Sequence, residues 1–153
     1  MKTPPRPIVR NAARTLLLDP DGRVLLIRGH DPEAPEAGHW WLTPGGGLEP
    51  GEDARAAAVR EAFEETGHEV ADLVGPVARR SSVFRFDGRL IEQRELYFVA
   101  RVEAFEATSA GWTPLEQRVL GEARWWTLDE LRTTGDTVFP EHLADLVAAA
   151  LAG

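Results

Sequence analysis

The stretch that most narrows the fold runs from Gly46 to His68 and reads GGLEPGEDARAAAVREAFEETGH. Pro44 and the glycines Gly45 to Gly47 end a short Trp/Leu/Thr strand, good helix formers run from Asp53 to Thr66, and Gly67 supplies a C-terminal stop. A glycine-rich loop therefore feeds a helix. At about 100° per residue, Glu61, Glu64 and Glu65 fall within one arc of roughly 100°, and Ala56, Val59 and Phe63 lie opposite. The helix thus has an apolar face and a carboxylate face. Carboxylates this close repel one another and raise each other's pKa unless cations sit among them, and an all-oxygen ligand set suits a hard cation such as Mg²⁺ or Mn²⁺. Arg60 precedes Glu64 by one helical turn, which lets it pair with that carboxylate and hold it. On periodicity alone, a solvated acidic face explains the pattern as well as a cation site does.

The spacing adds information. Gly46, Glu52, Arg60, Glu61, Glu64, Glu65 and Gly67 fill every invariant polar and glycine position of the Nudix box, which this stretch resembles. Two positions that usually carry bulky aliphatics hold Ala62 and His68 instead, which bears on helix packing more than on chemistry. The flanks are similar to the family as well: Trp41-Leu42-Thr43-Pro44 before the box and Trp125-Trp126-Thr127-Leu128-Asp129-Glu130-Leu131 after it. The resemblance implies a single domain over residues 1–153 with an α/β/α sandwich around a central mixed β-sheet. It also implies hydrolysis of a diphosphate linkage in a nucleotide sugar, ADP-ribose, a dinucleoside polyphosphate or a nucleoside triphosphate. Mg²⁺, with Mn²⁺ as a substitute, is expected on Glu61, Glu64 and Glu65, with Glu52 and the Gly46 carbonyl as further ligands and Arg60 orienting Glu64. A general base in this family often sits on a loop before the final strand, where Glu116 and Glu122 qualify, and Glu116 is preferred because its segment is free to fold over the site. Family members often form homodimers, an expectation that extends to this chain.

Length and composition agree with one soluble domain. A chain of 153 residues, 43% hydrophobic and 27% charged, is long enough to bury one core. No segment approaches the apolar length of a membrane span, and Met1 to Arg10 has no secretory core, so cytoplasmic residence is the default. The absence of cysteine excludes disulfides, thiolate metal sites and thiol nucleophiles. A net charge of −8 argues against a protein that grips nucleic acid through its phosphates, leaving a small-molecule nucleotide as the expected partner.

Along the chain, residues 1–7 read as a flexible proline-containing arm, and Ile8 to Asp19 and Arg23 to Arg28 as a hairpin about Pro20-Asp21-Gly22. Gly29 to Gly38 reads as a mobile loop able to close over substrate. His39 to Thr43 is a short strand whose alternation sends Trp40 and Trp41 to opposite faces, and Trp41 is the expected base-stacking residue. Val70 to Phe86 and Leu90 to Val102 form a second hairpin at Asp87-Gly88, with Arg79 and Arg80 as expected phosphate ligands. Glu103 to Gly121 reads as a long functional loop. A strand from Glu122, a helix from Leu128 capped by a Thr127/Glu130 box, and a terminal helix from Phe139 to Leu151 complete the chain.

Three other readings compete with hydrolysis. Isopentenyl diphosphate isomerases share the fold but need a catalytic cysteine. Nucleotide-sensing modules of transcription regulators often lose box carboxylates, which this chain keeps. A metal-binding protein without catalysis is the third.

Overall fold

The computed structural model describes residues 6–153, so most of the arm expected at residues 1–7 lies outside the described residues. Eight strands form one mixed sheet. β1 (Ile8–Leu18), β2 (Val24–His30), β3 (His39–Leu42), β4 (Gly45–Gly47), β5 (Val74–Phe86), β6 (Arg89–Arg101), β7 (Leu120–Trp126) and β8 (Thr137–Phe139) accompany the helices α1 (Ala54–Thr66), α2 (Pro114–Val119), α3 (Leu128–Thr133) and α4 (Leu143–Ala152). The spatial order is β5-β6-β1-β2-β3-β8, with β4 paired to β1 and β7 to β2.

β1 runs parallel to β6 over its whole length, from Ile8 opposite Ile91 to Leu18 opposite Arg101. With β2, however, it pairs only at Leu18 and Val24, next to the turn. β1 then takes β4 as its partner on that side, from Ala12 opposite Gly47 to Arg14 opposite Gly45, while β2 pairs with β3 and β7. The sheet opens between β1 and β2.

Alternation along β1 supplies two cores. Leu16 and Leu18 join Tyr97, Val99, Trp126, Leu143 and Val147 on the face covered by α4. Ala13 and Leu17 point the other way, to Ala57, Ala58, Ala62, Phe98 and Ala100 under α1. Helices therefore cover both sheet faces, which is the expected α/β/α sandwich.

α1 sits on the sheet with the face opposite to the one its periodicity suggests. Its buried residues are Ala57, Ala58, Glu61, Ala62, Glu65 and Thr66, whereas Phe63 is half exposed and Ala56 lies in solvent. Small side chains explain the orientation, because three alanines let the helix axis approach Ala13 and Phe98 closely. Ala62, in place of the bulkier aliphatic, is fully buried and fits that close approach. Asp53 caps the helix by accepting from Ala56 N, and Gly67 ends it in a left-handed conformation at φ 80°.

Other boundaries differ from the expected ones. The terminal helix begins at Leu143, and Phe139, the first residue of the span assigned to it, instead ends β8, which pairs in parallel with β3. The long loop before the last large strand contains α2, capped by Thr113 with Pro114 inside its first turn. The hairpin at Asp87-Gly88 has positive φ at both residues, as a two-residue connection requires.

Candidate active site

Where β1 and β2 part, a cavity of about 1440 Å³ opens, lined by residues from β1, β3, β4, β5, β6, α1 and α2 together with Phe139 and Glu141. α1 presents Glu61 and Glu65 to it, 8% and 5% exposed. α2 brings Glu116 from the other side, and one carboxylate oxygen from each of Glu61, Glu65 and Glu116 lies within 4.8 Å of the others. Glu116 is the third helical residue of its own capping box: it accepts from Thr113 N at 2.8 Å, while Thr113 Oγ1 accepts from Glu116 N at 3.1 Å. The carboxylate is thereby tied at one oxygen. Glu122 lies outside the cavity, on β7, in an exposed pair with Arg28 at 3.6 Å.

Arg60 organises the carboxylates from the rim. It clasps Glu52 through two contacts of 2.8 Å, reaches Glu61 at 3.0 Å and Glu64 at 3.1 Å, and donates to the Gly47 carbonyl at 3.0 Å. Those contacts hold the Glu52 carboxyl at about 2, well below its ordinary value. Gly46 packs against Glu61 so closely that a Cβ there would lie 2.6 Å from the carboxylate carbon, so a side chain at this position would displace the Glu61 carboxylate.

Burial pushes the Glu61 carboxyl up and the Glu65 carboxyl well up, with Arg60 opposing the rise at Glu61 and Arg14 at Glu65. Glu65 accepts a single hydrogen bond, from Gly45 N at 3.3 Å, and has no ion pair within 4 Å among the described residues. Two buried carboxyls facing a third, with oxygens left over, form a hard-donor set that fits a divalent cation.

Basic and aromatic side chains line the cavity as well. Glu95, 3% exposed, accepts from Arg14, from Arg80, Gln93 Nε2 and Tyr97 Oη at 3.1 Å each, and anchors both arginines beside the cavity. Burial alone would raise the Glu95 carboxyl, but Arg14 and Arg80 outweigh it and hold it below its ordinary range. Arg80 continues to Glu141 at 2.9 Å and lies 5.1 Å above the Phe139 ring. Phe139 meets Trp40 edge-on at 6.5 Å.

The structure thus separates two pairs of adjacent residues. Trp41, the expected stacking residue, is 3% exposed in the core, edge-on to Trp126 at 5.1 Å, and donates to Asp136; its neighbour Trp40 lines the cavity instead. Arg80 lines the cavity, whereas Arg79 is exposed outside it. Alternation on a strand fixes that neighbours diverge but not which one turns inward. The segment from Gly29 to Gly38 continues β2 to His30 and is then pinned by Asp31, which accepts from Glu33 N and Asp87 N. Arg14 and Glu95 carry no signal in the sequence, because a buried ion pair across two parallel strands leaves no local pattern.

The NUDIX domain model matches residues 9–146, spanning the box, the cavity walls and the first turn of α4. The chain belongs to the Nudix family. An RNA pyrophosphohydrolase of Erythrobacter litoralis is 33% identical over 135 residues, covering 80% of this chain and 78% of that protein. One of Dinoroseobacter shibae is 47% identical over 58 residues, and there the match spans 34% of the relative's length and 38% of this chain. Among solved structures, a NUDIX hydrolase from Nitrosomonas europaea shares the fold with a TM-score of 0.68 at 22% identity, over 95% of this chain and 90% of that one. Membership of the Nudix family and these relatives support a pyrophosphohydrolase. No helix among the described residues is long and apolar enough to cross a membrane.

Proposed function

We propose that this Nudix protein is a divalent-cation-dependent hydrolase that cleaves a diphosphate linkage in a nucleoside diphosphate derivative. The observation that carries the proposal is the convergence of Glu61, Glu65 and Glu116 within 4.8 Å in a cavity that Arg14, Arg80 and Trp40 also line. In this reading Glu61, Glu64 and Glu65, with the Gly46 carbonyl, hold Mg²⁺ or Mn²⁺. When bound, such an ion neutralises phosphoryl oxygens and acidifies water. Arg60 keeps Glu61 and Glu64 in place and is itself braced by Glu52, which acts through Arg60.

Glu116 takes the proton of the attacking water. It stands opposite the α1 carboxylates, and one of its oxygens is already engaged by Thr113, so its free oxygen is aimed by the capping box. Arg80, set by the buried Glu95, offers a planar fork to a substrate phosphate in exchange for the exposed Glu141. Trp40 offers an indole face beside Phe139 on which a base can stack.

A second reading concerns the group attached to the nucleotide. The 33% identical relative is an RNA pyrophosphohydrolase, which adds phosphorylated RNA 5′ ends to free nucleotides as candidate substrates of this chain. The net charge of −8 favours a grip on the terminal nucleotide alone. The test is turnover with Mg²⁺ of a panel containing ADP-ribose, nucleotide sugars, a dinucleoside polyphosphate, nucleoside triphosphates and a 5′-triphosphorylated oligoribonucleotide, with products identified by mass. Cleavage between phosphorus atoms is expected. Metal binding with no turnover of any member would instead support a nucleotide-sensing module.

A further inference from the structure

The segment between β6 and α2 does more than connect them. Three of its groups satisfy the carbonyl end of α1 or lie against it. Thr108 N donates to Thr66 O at 3.0 Å, the Trp112 indole Nε1 donates to Glu65 O at 2.8 Å, and Gly111 sits so close that a Cβ would lie 2.7 Å from Glu64 O. These are carbonyls of the last helical turn, which have no partner within the helix. They belong to Glu64, Glu65 and Thr66, the residues that carry or adjoin the carboxylate cluster. The next residue after Trp112 is Thr113, the cap of α2, whose box fixes Glu116.

We infer that Trp112 is a positioning residue: its indole N–H, seated by Gly111 against the Glu64 backbone, ties α2 to the end of α1 and so sets Glu116 against Glu61 and Glu65. Neither Gly111 nor Trp112 lines the cavity, so neither touches substrate. The need for a tie is physical. α2 has six residues, too few to be stable alone, and none of them is buried. Its capping box orders the first turn but does not locate the helix relative to α1. Position must come from outside, and the indole bond is the contact nearest in sequence to the cap that reaches α1. A displacement of about 1 Å in a reacting group lowers turnover by up to about 10²-fold, so a single side-chain donor can matter at this distance from the chemistry.

The inference rests on the proposed role of Glu116, and the test separates the two. Trp112→Phe keeps an aromatic ring and removes the donor, and Gly111→Ala pushes the strap from α1. Each is prepared in the natural background and with Glu116→Gln, and kcat and KM are measured on the substrate found by the panel. Hydrogen exchange across residues 113–119 and 54–66 is followed in the same proteins without metal. Trp112→Phe is expected to lower kcat about tenfold or more with KM unchanged, and to speed exchange in 113–119 while 54–66 stays protected. With Glu116→Gln already present it should have no further effect on kcat, since two changes acting through one group are not additive. Equal losses in both backgrounds, or unchanged exchange in 113–119, would overturn the inference. An inactive natural protein would refute the hydrolase reading while the exchange result still decides the strap.

Discussion

Glu116 and Glu122 carry the same functional group on neighbouring elements and differ in their surroundings. Glu116 shares a 4.8 Å cluster with two buried carboxyls and is aimed by a backbone N–H; Glu122 is exposed beside Arg28. Glu116→Gln is therefore expected to lower kcat by ~10² to 10⁴, the usual contribution of a general base, and Glu122→Gln to leave it nearly unchanged. Steady-state kinetics checks this, and a reversed pair of effects would transfer the role to Glu122. At this scale the sequence is informative about candidates and silent about direction. Glu61, Glu64, Glu65, Arg60 and Glu52 were legible because their spacing is a pattern within one loop and helix. Trp40 and Arg80 were not separable from Trp41 and Arg79, since which strand neighbour faces the cavity depends on where the sheet opens, a property of distant pairings. Thr113-Pro114-Leu115-Glu116 did carry a readable signal, the same Thr-x-x-Glu box present at Thr127 and Glu130, with proline in the first turn besides.

Among the elements, α1 departs furthest from its own periodicity. The pattern separates carboxylates from Phe63 and Val59, and hydrophobicity alone would turn the latter inward. The sheet selects the alanine side instead, and Glu61 and Glu65 go in with the alanines. A buried, partly unpaired carboxylate opposes folding when ionised, which gives the metal-free protein a pH signature. The Glu61 and Glu65 carboxyls are raised above their unfolded values, so stability increases as pH falls from neutral through their folded values and levels off near the unfolded value of about 4.3. Glu95 and Glu52 are depressed, and their contribution is present above about 4.3 and lost as pH falls through their folded values. Thermal unfolding in EDTA should therefore show a maximum at mildly acidic pH, higher than at pH 8, and Glu65→Gln should flatten the rise between neutral pH and that maximum. Stability in EDTA that only increases towards alkaline pH would contradict the burial of Glu61 and Glu65 as charged groups awaiting a cation.

For the whole molecule, the decisive event is the parting of β1 from β2 after Leu18 and Val24. Parallel pairing with β6 keeps β1 straight through the core, β4 takes the edge that β2 leaves, and α1, β4 and α2 close around the opening. The sandwich was legible from the box, two hairpin turns and the caps; the cavity was not, because it arises from strand pairings far apart in sequence. On the proposed function, Glu61 and Glu65 are buried on the wall of that cavity because a divalent cation shares it with them. The most direct test is turnover of the panel substrate after exhaustive EDTA treatment and on return of Mg²⁺, with thermal stability followed in parallel. A cation-dependent site predicts no turnover in EDTA, recovery with Mg²⁺, and a rise in unfolding temperature on metal addition that is lost in Glu65→Gln. Full turnover in excess EDTA would contradict it.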